Sequence, residues 1–178
     1  MKVYYITMKH GKRWPNIVAA TDRPSFNDPH ARFDPVFHTY DPSRVLEYYR
    51  VAGCLGCFSS RVAGEVRSLC GSSLVEYPVT VNGLPYHLFV TVDPIDAFDL
   101  ERTEFEYLPG REAPISIRWS AFREEVVGEA PRIFLAMQCF GPYVNGAGRA
   151  LLQSLGVEGI DFYLQRPPPP GHRIFPSG

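Results

Sequence analysis

Ser59-Ser60-Arg61-Val62-Ala63-Gly64-Glu65-Val66-Arg67-Ser68-Leu69-Cys70-Gly71, then Val75-Glu76-Tyr77-Pro78-Val79, then Tyr86-His87-Leu88-Phe89-Val90 and an acid-rich run from Asp93 to Tyr107, is the stretch that decides how this chain folds. Val62, Val66 and Leu69 recur at i, i+4 and i+7, one face of a helix over Ser60 to Cys70. Ser59 or Ser60 offers an N-cap oxygen, and Gly71 stands where a left-handed residue ends a helix. Leu74 to Val81 reads as a strand. Asn82-Gly83 suits the two positive φ angles of a type I′ turn, so Pro85 to Val92 is the returning strand of a hairpin. Pro85 is tolerated because it falls at the strand's start.

Working toward the C-terminus, Ala97 to Leu100 is a short extended piece. Thr103 to Tyr107 sets Phe105 and Tyr107 against Glu104 and Glu106, the alternation of a half-exposed strand. Leu108-Pro109-Gly110 is a turn, and Ile115 to Trp119 alternates again. Arg132 to Met137 is mostly apolar and predicts a central strand. Gly141 to Gly148 reads as a flexible start to a helix that carries Ala147, Leu151 and Leu155 on one face and stops at Gly156. Gly159 to Leu164 is the last strand, and 167–178 is a Pro-rich flexible tail, polyproline II at Pro167 to Pro170.

Toward the N-terminus, Val3 to Met8 is a strand and Asn16 to Ala19 a second, short one. Residues 21–42 are punctuated by Pro, Asn and Asp and predict an irregular excursion, tacked to the core by Phe26, Phe33, Val36, Phe37 and Tyr40. Asp41 to Tyr49 suits a short helix capped by Asp41, although its Tyr and Val also suit a strand. The sum is a single α+β domain over 1–166: a mixed, mainly antiparallel sheet with two or three helices. One echo runs through it. Ser68-Leu69-Cys70-Gly71 before Val75-Glu76-Tyr77 matches Ser154-Leu155-Gly156 before Ile160-Asp161-Phe162. The match is short enough for chance, and it also fits two helix–strand units side by side on one sheet.

Composition bounds the function. With 178 residues, 45% of them hydrophobic, the chain can bury a core as one domain. A formal charge of −1 supplies no basic field for phosphates, which argues against direct nucleic-acid binding. The N-terminus has no apolar signal region, and no apolar run approaches the roughly 20 residues that span a bilayer. A cytoplasmic protein without membrane attachment is expected, with its four Cys as thiols or metal ligands rather than disulfides.

Few residues have the spacing of a chemical site. Cys54-Leu55-Gly56-Cys57 is the one pair with metal or redox spacing. Three readings of it stay open: unliganded structural thiols, a zinc site, or a redox thiol at Cys57 acidified by the following helix. Cys70 and Cys139 stand alone, and His10, His30, His38, His87 and His172 share no metal spacing. His87, among apolar strand residues, reads as a satisfied sheet histidine before a general base. The glycines of 141–148 meet neither the dinucleotide fingerprint nor the P-loop pattern. Asp93, Asp96, Asp99, Glu101, Glu104 and Glu106 stand against Arg102 alone in that run, either a solvated edge or an acidic face for a basic partner.

Ser60, Glu76-Tyr77-Pro78-Val79, Gly83-Leu84-Pro85-Tyr86, Ile95-Asp96-Ala97-Phe98-Asp99 and Glu104-Phe105 together resemble a family of bacterial immunity proteins of polymorphic-toxin systems, a domain first catalogued as one of unknown function. A terminal helix leading to an apolar strand, Leu151 to Phe162, fits the same pattern, so the resemblance covers about residues 55–165. A related group carries two Cys-x-x-Cys-Gly motifs. This chain keeps one pair, with Phe58 in place of the glycine. The resemblance implies a non-enzymatic protein of bacterial competition that binds and neutralises a cognate toxin domain, a basic one on the charge of the acidic run, with no cofactor unless zinc sits at Cys54 and Cys57. The contact residues expected are Asp96, Asp99, Glu101 and Glu104, with the loop aromatics Phe33, Phe37 and Tyr40. The alternative is a small zinc- or thiol-dependent protein centred on the cysteine pair.

Overall fold

A computed structural model describes residues 1–8, 18–19, 36–38, 45–51, 53–110, 114–137 and 141–172. Its elements are, in order, β1 (Val3–Met8), β2 (Val18–Ala19), β3 (Val36–His38), β4 (Tyr48–Tyr49), β5 (Gly56–Ser59), α1 (Ser60–Arg67), β6 (Leu74–Val81), β7 (Leu84–Thr91), β8 (Glu104–Glu106), β9 (Ser116–Trp119), α2 (Glu124–Glu129), β10 (Ile133–Leu135), β11 (Pro142–Asn145), α3 (Gly146–Ser154) and β12 (Ile160–Leu164). They make three sheets, ordered β10-β11-β1-β12, β2-β3-β6-β7-β5-β4 and β8-β9. Every described strand pair is antiparallel except β3 with β6. The class is α+β. No described helix is long and apolar enough to cross a membrane.

The deciding stretch folds as its residues dictate. α1 buries Val62, Ala63 and Val66 against β5 and β7. Asn82 and Gly83 take φ of 50° and 80°, and β6 and β7 pair along their whole lengths from Leu74↔Thr91 to Val81↔Leu84. Elsewhere, packing overrides the local reading. Tyr48 and Tyr49 end no helix: they form β4, fully buried, opposite Phe58 and Cys57. Residues 41–44 lie outside the described region, as does most of the 21–42 excursion, of which Val36–His38 is a strand. The expected second strand at Asn16 to Ala19 is described only at Val18–Ala19.

The C-terminal half departs further. Ile133–Leu135 lies at the edge of its sheet rather than in the centre. It is buried because Ala136 bridges Ile95 in parallel and because Phe134 packs in a second cluster with Phe98, Val127 and Tyr143. Pro142–Asn145 is a strand, not a flexible lead-in; both its neighbours are strands, and a paired backbone leaves no freedom. The buried face of α3 is Gly148 and Leu152, with Leu151 and Leu155 partly covered and Ala147 exposed. The echo of helix and strand is not on one sheet: β6 and β12 belong to different sheets.

The echo is nevertheless part of a larger correspondence. In the six-stranded sheet, β5 runs straight into α1 and returns as β6, and β7 lies between β5 and β6, antiparallel to both. In the four-stranded sheet, β11 runs into α3 and returns as β12, and β1 lies between them, antiparallel to both. Each unit carries one further antiparallel strand, β4 on β5 and β10 on β11. Gly56 and Pro142, Ser60 and Gly146, and Leu74 and Ile160 start matching elements at one constant spacing along the chain. The units also dock reciprocally. Ile133 N donates to Leu69 O, just after α1, while Tyr48 N donates to Glu158 O, just after α3. Gly159, at φ +90°, sits where a Cβ would meet Leu46 Cβ at 2.9 Å and Tyr48 O at 3.0 Å. The main core draws Tyr4, Ile6 and Val144 from one sheet and Phe58, Leu88 and Phe89 from the other.

Candidate functional site: an acidic hairpin face and a buried thiol pair

β8 and β9 form a separate two-stranded hairpin resting on the second apolar cluster. Phe105 anchors it, edge-on to Phe98 at 5.6 Å, with Ile117 opposite. The outer end of the same hairpin is exposed and apolar: Tyr107 (38% exposed), Leu108 (46%) and Ile115 (44%).

The acidic run leads into this hairpin from its open end and reaches the turn end only at Glu106, and the fold brings it cations besides its own Arg102. Asp96 pairs with Arg123 at 2.7 Å. Asp99 lies 3.9 Å from Arg102. Glu104, half-buried, stands between Arg118 at 3.7 Å and His172 Nε2 at 2.6 Å. Glu106 accepts a hydrogen bond from Ser116. Glu101 is exposed, as is Asp93. Six acids then stand against three arginines, so the run stays negative but is patterned rather than bare. His172 also meets Trp119 ring to ring, at 6.1 Å, so the chain after the proline run returns to this hairpin.

The expected aromatic contacts divide. Phe37 is 4% exposed and packed in the main core, because β3 is drawn onto β6 and Phe37 O accepts from Asn82 N. Its ring is therefore not on the surface. Phe33 and Tyr40 lie outside the described residues. A surface aromatic that composition alone did not single out is Tyr107, whose signal was its place in an alternating strand next to a turn.

Cys54 and Cys57 are both buried, as is Cys70. Burial pushes the Cys54 and Cys70 thiols up to about 12, and that of Cys57 beyond the ordinary thiol range. This overturns the expected acidification of Cys57 by the helix: Cys57 lies inside β5, opposite Leu88, in an apolar core where a thiolate is costly. Among the described residues, no three His, Cys, Asp or Glu side chains come together as a metal site. Cys139 lies outside them.

One polar cluster escaped sequence reasoning because its members come from three elements. Glu76 on β6 is held by a fork from Arg67 on α1, Nε to Oε2 at 2.6 Å and Nη2 to Oε1 at 2.8 Å. That guanidinium, with His87 behind it, holds the Glu76 carboxyl below the usual carboxylate range. His87 on β7 reaches Glu76 Oε1 with Nδ1 at 2.6 Å and Ser60 Oγ with Nε2 at 3.0 Å. No protein-family model and no curated protein matches this chain.

Proposed function

We propose that this protein is an immunity protein: it binds the toxic domain of a polymorphic toxin and neutralises it by occupying its surface. The reading is carried by the hairpin end. Tyr107, Leu108 and Ile115 are three large apolar side chains exposed together at the turn end, next to the exposed Glu106, while Asp99 and Glu101 lead into the hairpin at its open end. An exposed apolar patch edged by charge is the anatomy of a protein interface, and the acids along the hairpin fit a basic toxin domain. The resemblance over residues 55–165 supports the same reading, since Asp96, Asp99 and Glu104 fall within it.

The test is co-expression with the C-terminal domain of the large reading frame upstream of its gene. Co-expression should restore growth, and the purified pair should bind with affinity that falls as salt rises. Reversing Asp99 and Glu101 to Lys should slow association at least about tenfold and flatten its salt dependence. Leu108→Asp should raise Kd about tenfold or more by burying a charge at the centre. The reading fails if no such domain is encoded there, or if the domain and the wild-type protein do not bind.

A further inference from the structure

The Ser60 cluster has the order of a nucleophile, a base and an orienting acid. We propose that Ser60 is an activated nucleophile, with His87 as its general base and Glu76 orienting the base, able to accept the acyl group of short carboxylic esters. Ser60 Oγ lies 3.0 Å from His87 Nε2, within reach for proton transfer. On the far side of the ring, Nδ1 is buried, and Glu76 Oε1 faces it at 2.6 Å, off the N–H axis. Such contacts align on substrate binding in many hydrolases. Arg67 fixes Glu76 from behind through both carboxylate oxygens, which keeps it ionised and points Oε1 at the ring.

Placement adds to the geometry. Ser60 is exposed at the first residue of α1, directly after strand β5. Ser59 makes no side-chain bond to that first turn, so no cap occupies the N–H donors beside Ser60 that could hold an oxyanion. Ser60 Oγ also lies 3.2 Å from Pro85 O, an alternative acceptor for its proton in the resting state.

The other half of the molecule shows that the scaffold does not require this cluster. By register, Ser60 corresponds to Gly146, Glu76 to Phe162, and His87, opposite Pro78, to Tyr4, opposite Leu164. There the same architecture is built with two aromatic rings and Arg149 lying over both.

In the step proposed, Ser60 Oγ attacks the ester carbonyl carbon while Nε2 takes its proton. The imidazolium returns that proton to the departing alcohol oxygen. Water, giving a proton to His87 Nε2, then attacks the acyl carbon; the bond to Ser60 Oγ breaks, the imidazolium returns the proton to Oγ, and the carboxylic acid leaves. Because Ser60 lies open on the surface, short unhindered esters fit and bulky ones gain no binding. This activity is independent of the toxin-binding reading, since none of its residues lies on the β8–β9 hairpin.

The full-length protein is treated with a fluorophosphonate and separately with p-nitrophenyl acetate, and modified serines are mapped by mass spectrometry. Ser60 should label at least about 100-fold faster than the exposed Ser68 and Ser72. His87→Gln should cut the Ser60 rate by a similar factor with circular dichroism unchanged, and Glu76→Gln by less. Ser60 labelling no faster than Ser68 and Ser72 in the wild type overturns the proposal, whatever the variants do. So does an unchanged Ser60 rate in folded His87→Gln.

Discussion

At the scale of single residues, two carboxyls and three thiols make measurable commitments. Glu47 and Glu76 both have depressed pKa values, each caused first by an arginine, Arg61 and Arg67 respectively. A carboxyl depressed on folding adds stability above its unfolded pKa of about 4.5, and that stability is lost as pH falls through the lower folded value. Glu47 also accepts from Glu158 N at 3.0 Å, so it ties α1 to the turn after α3. The expected outcome is a Tm that falls from about pH 5 to 3, less steeply in Glu47→Gln, read by thermal melts across that range. The thiols are the second case. With Cys54 and Cys70 raised to about 12 by burial, alkylation at pH 8 should be negligible in the native protein and complete in denaturant. Elemental analysis of the same sample decides whether zinc accompanies the Cys54–Cys57 pair.

At the scale of elements, the two equivalent helices are started differently. Asn145 caps α3, its Oδ1 accepting from Gly148 N at 2.9 Å. Ser59, before α1, makes no cap bond, and its Oγ is buried without a partner among the described residues. Asn145→Ala should therefore cost about 1 kcal/mol, roughly 2–4 °C in Tm, while Ser59→Ala should be neutral within about 0.5 kcal/mol. Melts of the two variants check this. The contrast also marks what a sequence can and cannot tell. The spacing of Val62, Val66 and Leu69 placed α1, although it ends at Arg67 and Ser59 supplies no cap bond, and Asn82-Gly83 placed the hairpin, because those signals act within a few residues. Tyr48-Tyr49 and Pro142–Asn145 were misjudged, because each is a strand only by virtue of a distant partner, Phe58 and Cys57 in one case and β1 in the other. The Ser60–His87–Glu76 cluster was hidden for the same reason: nothing local links a helix start to two strands of a hairpin.

At the scale of the whole molecule, the shared core makes the halves interdependent. Leu88 is fully buried in the cluster to which both sheets contribute. Leu88→Ala should cost about 2–5 kcal/mol and lower one common transition seen by circular dichroism and by fluorescence, rather than splitting it in two. The matched units also differ in chain order. In one, the middle strand follows β6 through the tight Asn82-Gly83 turn. In the other, the middle strand β1 is supplied from the opposite end of the chain, and Gln165 N donates to Val3 O right beside it. The gap between Gln165 and Val3 is thus where a second hairpin turn would stand. A rewired gene that bridges those two residues with Asn-Gly and opens the backbone at Leu108-Pro109-Gly110 should yield a protein with the same sheets, both units now reading in identical order from first strand to last.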